Sequence, residues 1–217
     1  MNQKSSIATY DAVATLYDST RFRTIRGRVF SIFRSRILEK LALEFPSSGK
    51  VFDLACGTGL MTAWFIKKNY HTTSGDLSRG MLEIAKNNLA GTDCLDGLLQ
   101  LDATSLPIKS KSIDIVTCFR FLNLMSPDER VKIHKEISRI CKNIYLITYA
   151  LGGPYQRFRG QVKTFMGISL KEGADRYPAK VNEIRTELAQ AGIDMISAQP
   201  VCRLLTSEII VLGKIRV

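Results

Sequence analysis

No stretch of the chain approaches the roughly 20 consecutive apolar residues that a membrane-spanning helix requires. The longest apolar run, Ile113–Phe119, is interrupted by Asp114. The start, MNQKSSIATYDAVATLYD, has no apolar core behind a basic flank, so no secretory leader is expected. Cysteine is sparse: five residues (56, 94, 118, 141, 202), widely spaced, with no CxxC pair. An odd, scattered set argues against a disulfide framework or a zinc site and for free thiols in a reducing cytoplasm; no metal site is expected. There is no internal repeat and no low-complexity segment. Hydrophobic residues at 45% and charged residues at 24% exclude a disordered, collagenous or coiled-coil chain. At 217 residues, one domain with its own core is expected, spanning 1–217.

What is present is positive charge, and it is concentrated. Residues 21–40 carry Arg21, Arg23, Arg26, Arg28, Arg34, Arg36 and Lys40 against Glu39, a net +6. Residues 155–171 carry Arg157, Arg159, Lys163 and Lys171 and no acid, a net +4, within a whole-chain net of +11. A nearly neutral body with two basic segments suggests an anionic partner on one face; a solvated basic surface explains the same numbers.

Residues 1–45 read as helix and form a candidate N-terminal helical lid, with Phe22, Ile25, Val29, Phe33, Ile37 and Leu41 at helical spacing. Strand candidates follow at 51–55, 71–77, 98–103, 113–119 and 143–150, alternating with helices. Ser78 caps one helix, and Ser126, Pro127 and Glu129 open another as a capping box. A Gly-, Arg- and aromatic-containing insert (151–180) precedes a helix that stops at Gly192, and two closely linked strands end the chain. Alternation predicts an α/β fold: a three-layer Rossmann-like sandwich with a seven-stranded, mostly parallel sheet and an antiparallel C-terminal strand.

The informative segment is VFDLACGTGL (51–60), a strand running into a glycine turn and then a helix. Glycine permits positive φ and lets a ligand approach the backbone, and ligands in such sheets sit beyond the carboxyl ends of strands. Asp53 before the glycines disfavours a pyrophosphate and suits a cationic ligand. The third glycine or alanine of a dinucleotide fingerprint is Thr62 here, which argues against a dinucleotide. Asp76 ends the next strand, where an acid can accept two ribose hydroxyls, and Asp102 ends the third, where a carboxylate can hold an adenine edge.

These positions resemble the class I S-adenosylmethionine-dependent methyltransferase family, in its small-molecule branch that includes quinone-biosynthesis enzymes. DLACGTG (53–59), GDLSRGMLEIAKNN (75–88), LQLDATSLPIKSKSIDIVTCF (99–119) and the opening YDAVATLYDSTR (10–21) carry the likeness. It implies S-adenosyl-L-methionine as cofactor. Ala55, Gly57, Thr58 and Gly59 would pass its methionine part, and Asp53 would meet its ammonium through water. Asp76 would take the ribose hydroxyls, with Leu77 and Met81 flanking the adenine and Asp102 and Ala103 holding its edge. Phe119 would line the donor, and Tyr17 and Arg21 would close over its carboxylate. In this sequence Ala55 stands where the family usually has its first glycine, and CKN (141–143) replaces the usual Pro-Gly-Gly turn before strand five.

Methyl transfer to an activated sulfonium methyl requires alignment and a dry site more than a dedicated catalyst. Candidates for a general base or substrate contact are Tyr149, Asn123, Arg120, Tyr17 and Tyr10; His71 and His134 are expected to be structural. CFRFLN after strand four lacks the Asn/Asp-Pro-Pro-aromatic motif of nucleic-acid amino methylation, and the Pro-Cys nucleophile of cytosine methylation is also missing. A small-molecule acceptor is therefore expected, anionic, lipid-like or carrier-attached, with cytoplasmic location and peripheral membrane contact through the Arg-rich helix. The alternatives are RNA methylation, with both basic segments on phosphates, and a non-catalytic binding module.

Overall fold

A computed structural model of the protein describes residues 25–152, 177–202 and 207–216, with side chains from residue 31 onward. Tyr10, Tyr17, Arg21 and the basic residues of 155–171 lie outside the described residues.

Helix α1 (Ile25–Leu41) runs into a short 3-10 turn at Ala42–Glu44. There follow β1 (Lys50–Leu54), α2 (Leu60–Ile66), β2 (His71–Asp76), α3 (Arg79–Asn88), β3 (Leu95–Gln100) and β4 (Ile113–Cys118). The rest is α4 (Pro127–Ile140), β5 (Cys141–Ala150), α5 (Val181–Gln190), β6 (Ile193–Pro200) and β7 (Glu208–Ile215). The seven strands form one sheet in the order β3-β2-β1-β4-β5-β7-β6. Only β7 runs against its neighbours. The expected Rossmann-like sandwich and its antiparallel C-terminal strand are both present.

Strand chemistry explains the layering. β4 and β5 are apolar on successive residues because both of their faces are covered. On one face Ile133, Ile137 and Ile140 of α4 and Ile184 and Leu188 of α5 pack on Phe52, Val116, Tyr145 and Ile147. On the other, Leu38 and Leu41 of α1 and Met61 and Phe65 of α2 pack on Val51, Ile115, Leu146 and Ile210. The apolar stripe of α1 is shorter than its spacing suggests. Leu38 and Leu41 reach the core, whereas Phe33 remains 39% exposed.

Two junctions differ from expectation. β3 spans Leu95–Gln100, starting three residues ahead of the 98–103 strand expected from the sequence, because the β2–β3 ladder absorbs an irregularity between Thr72 and Thr73 and continues through Gly97. α4 passes directly into β5 at Cys141 without a turn. The missing loop is accommodated by a register shift on β4 between Ile113 and Ile115, and by Lys111, whose ammonium donates to the carbonyls of Ser138 and Cys141 at 3.1 and 3.2 Å. The helix starts are as read: Ser78 Oγ accepts the Met81 amide at 3.1 Å, and Ser126 and Glu129 form the reciprocal box. Asp114 serves the far end of the sheet, accepting from the Lys50 amide (2.8 Å) and the Lys142 ammonium (3.0 Å). Those bonds hold its carboxyl below the usual range against the opposing effect of burial.

Candidate functional site

The order of strands reverses at β1 and β4, so the crevice of this sheet opens above the carboxyl ends of β2, β1, β4 and β5. The turn after β1 is left-handed at alternate residues: Ala55 at φ 56°, Gly57 at 54° and Gly59 at 84°. Its backbone is tied down by the Cys56 amide on the Gly75 carbonyl (3.1 Å) and the Gly59 amide on the Cys56 carbonyl (3.0 Å). The two glycines do different work. A Cβ on Gly59 would lie 3.0 Å from Leu89 Cδ1, so this glycine lets α2 and α3 approach. Among the described residues, a Cβ on Gly57 would meet nothing within 4 Å, so it would project into open space.

Gly57 also organises the carboxylate at the end of β2. Its amide donates to Asp76 Oδ2 at 2.8 Å, and the Ser78 amide donates to Oδ1 at 2.9 Å. Leu77 is half-buried, with its carbonyl accepting from Gln100 Nε2 at 3.1 Å, and Met81 is buried at the start of α3. Thr58 is buried, and its carbonyl accepts from Asn88 Nδ2 at 3.0 Å. Beyond β3, Asp102 Oδ1 accepts from the amide and hydroxyl of Thr104, both at 2.8 Å, which fixes the turn that carries Ala103.

Asp53 lies under the loop, 1% exposed, with Oδ2 accepting from the Thr62 hydroxyl and Oδ1 from the Thr117 hydroxyl, both at 2.7 Å. The Thr62 oxygen also shares a hydrogen bond with Ser74 at 2.9 Å. In this geometry Asp53 ties β1, α2, β2 and β4 together, and its oxygens are engaged from below the crevice. Burial lifts its carboxyl from 3.8 to about 6, against the lowering effect of the two hydroxyls and with added repulsion from Asp76. In the sequence Thr62 stands out only as a break in the dinucleotide fingerprint, and Thr117 is not singled out. The signal was there for Thr62: a polar residue at the fingerprint's third-glycine position, one helical turn beyond the loop. Thr117 is found only through the register that sets it opposite Asp53.

On the other side of the crevice, Phe119 is buried among residues of the α1–α2 layer. Arg120 is exposed, holds φ at 60°, and donates its amide to the Thr148 hydroxyl of β5 at 2.7 Å. Asn123 is buried in a 3-10 turn (Leu122–Leu124) above β4. Tyr149, a candidate base in the sequence, is 1% exposed and committed elsewhere: it donates to Glu187 Oε2 at 3.0 Å and meets His134 Nε2 at 2.7 Å. Burial, with Glu187 beside it, pushes its phenol up, so it is structural in this arrangement. His134 is wholly buried, and its pKa falls to about 3 from burial and the nearby Arg130, which keeps the ring neutral. His71 sits at the opposite end of β2, against Asp96. No group of three or more metal-ligating side chains occurs among the described residues.

Residues 51–143 match the model of a methyltransferase domain. This stretch contains the glycine turn, Asp76 and Asp102. Over that stretch the chain is similar to methyltransferase domains. It is 32% identical over 140 residues to a demethylmenaquinone methyltransferase from Clavibacter sepedonicus, an alignment covering 61% of this chain and 55% of that protein. It is 25% identical over 169 residues to the ubiquinone/menaquinone biosynthesis C-methyltransferase UbiE of Burkholderia mallei, covering 68% of each chain. The chain thus spans little more than half the length of the first of these relatives. Magnesium protoporphyrin IX methyltransferase from Synechocystis, solved with bound SAH, shares the methyltransferase fold with a TM-score of 0.77 at 16% identity, over 99% of this chain and 100% of that one.

The residues present fit S-adenosylmethionine. Gly57 offers a surface that a side chain would fill, and the Asp76 carboxylate is held at the end of β2 by two backbone amides.

Proposed function

We propose that the protein transfers a methyl group from S-adenosylmethionine to a small-molecule acceptor, a hydroxylated ring of the quinone kind. The observation that carries this reading is the amide-held Asp76 carboxylate beside the open face of Gly57. The names of the two sequence relatives support the acceptor class.

When bound, S-adenosylmethionine supplies an activated sulfonium methyl for in-line displacement. The residues of the chain supply alignment. Asp76 accepts the ribose hydroxyls, Leu77 and Met81 border the adenine, and Asp102 and Ala103 hold its edge. The glycine turn would pass the methionine part; the residues that the sequence offers for its carboxylate, Tyr17 and Arg21, lie outside the described residues. Arg120, an exposed cation at the tip of β4, favours an acceptor that reacts as its anion, and Asn123 stands on the same rim. Tyr149 takes no part as a base, because its hydroxyl is spent in the core.

The acceptor is read as lipid-like, with peripheral membrane contact, on the strength of α1. Ile32 is 54% exposed on the same side as Arg36 and Lys40, at i, i+4 and i+8, with the exposed Phe33 alongside. No helix among the described residues is long and apolar enough to cross a membrane.

The test is turnover with methyl-labelled donor on a panel containing a short-chain demethylmenaquinol, a porphyrin carboxylate and total RNA. Label on the quinol, with the product identified by mass, supports the reading. Label on RNA alone, or no donor binding at all, removes it.

A further inference from the structure

Beneath the β4 tip lies a buried polar cluster that the donor site does not use. Arg130 of α4 is 2% exposed. Its Nε donates to Glu187 Oε2 at 2.9 Å and its Nη2 to Glu187 Oε1 at 2.6 Å, a bidentate pair. Tyr149 donates to the same carboxylate, His134 Nε2 faces the Tyr149 hydroxyl, and the Tyr145 hydroxyl meets His134 Nδ1 at 3.2 Å. Because His134 is neutral, one proton arrangement satisfies the chain: Tyr145 donates to Nδ1, Nε2–H donates to Tyr149, and Tyr149 donates to Glu187.

The remaining guanidinium nitrogen points away from this pair. Nη1 donates to the Met125 carbonyl at 3.1 Å and to the Tyr177 carbonyl at 3.2 Å. The Tyr177 amide in turn donates to the Asn123 carbonyl at 3.0 Å. One buried cation therefore clamps the loop above β4 to the segment at Tyr177. That segment is itself laid along the end of β5 by the Ala179 amide on the Ala150 carbonyl (3.0 Å). A buried ion pair adds little stability over well-packed apolar residues. An apolar pair could not, however, satisfy the two loop carbonyls.

We propose that Arg130, held in place by Glu187, is a positioning residue for methyl transfer. It fixes the β4–α4 loop, which forms the acceptor side of the crevice, against the Tyr177 segment. The inference rests on the functional reading above for its catalytic consequence but not for its structural one.

The test uses the full chain and the double variant Arg130→Met/Glu187→Met, which removes both charges together and leaves neither unpaired, with Arg130→Lys as the conservative partner. Three readouts separate the roles. Amide hydrogen exchange at Leu124, Met125 and Tyr177 is expected to accelerate at least tenfold in the double variant and less in Arg130→Lys. Calorimetric affinity for SAH is expected to stay within about twofold of wild type. Turnover of short-chain demethylmenaquinol is expected to fall at least tenfold in kcat, with partial rescue in Arg130→Lys. Unchanged exchange at those three amides in a folded double variant overturns the proposal, as does an equal loss of SAH affinity and turnover. Should the double variant not fold, the same amides are read in Arg130→Lys, where unchanged exchange overturns it. If wild type does not methylate the quinol, the acceptor assignment fails, and the exchange measurement still decides the clamp.

Discussion

Asp76 Oδ2 accepts the Gly57 amide at 2.8 Å, so the end of β2 and the turn after β1 are joined through one side chain. The bond orients the carboxylate before any ligand arrives, and it requires the left-handed backbone that Gly57 adopts at φ 54°. Gly57→Ala is expected to cost about 1 kcal/mol of stability from its backbone conformation alone, since no atom of the described residues opposes the new methyl. If the donor lies against this glycine, the same methyl enters its space, and SAH affinity falls at least tenfold. Denaturant melts and calorimetry on the one variant separate the two effects.

Ala55 holds φ at 56° where a glycine would be unstrained. Ala55→Gly is expected to raise stability by about 0.5–1 kcal/mol, the relief of left-handed strain less the extra entropy of an unfolded glycine. Urea unfolding at constant m-value checks it.

The buried carboxyl of Asp53 gives stability a pH slope. With its folded pKa near 6 against 3.8 unfolded, the native chain holds a proton between about pH 4 and 6 that the unfolded chain has released. The contribution from this group is therefore fully present below pH 4 and is lost as pH rises toward 6, by an amount on the order of 3 kcal/mol. Asp53→Asn is expected to lack that slope. Parallel denaturation curves of the two proteins from pH 4 to 7 measure the difference.

Glu187→Ala leaves the Arg130 guanidinium buried without its acid. A loss of about 3–5 kcal/mol is expected, larger than for the paired apolar replacement of both residues. Thermal melts of the single and double variants rank them.

The sheet, its antiparallel last strand and the capped helices were legible because each rests on a local signal. Alternating apolar runs, the Ser126–Pro127–Glu129 box and Gly192 at φ 73° are examples. The positions of Asp76 at the end of β2 and of Asp102 just beyond β3 were legible because an acid near a strand tip is visible in sequence. The partners of Asp53 were not legible: its carboxylate accepts from Thr62 and Thr117, which only the fold brings to it. Tyr149 reads as a strand-tip hydroxyl, yet its partners come from α4 and α5, 15 and 38 residues further along or back. The Arg130 clamp joins positions up to 57 residues apart and leaves no trace in local pattern.

The most direct test of the account is calorimetric titration of SAH into wild type and Asp76→Ala. The account predicts micromolar-range binding that weakens by about 1–3 kcal/mol, roughly five- to 150-fold, in a variant whose melting curve shows it folded. Equal affinity in the two proteins, or no heat of binding in wild type, would contradict it.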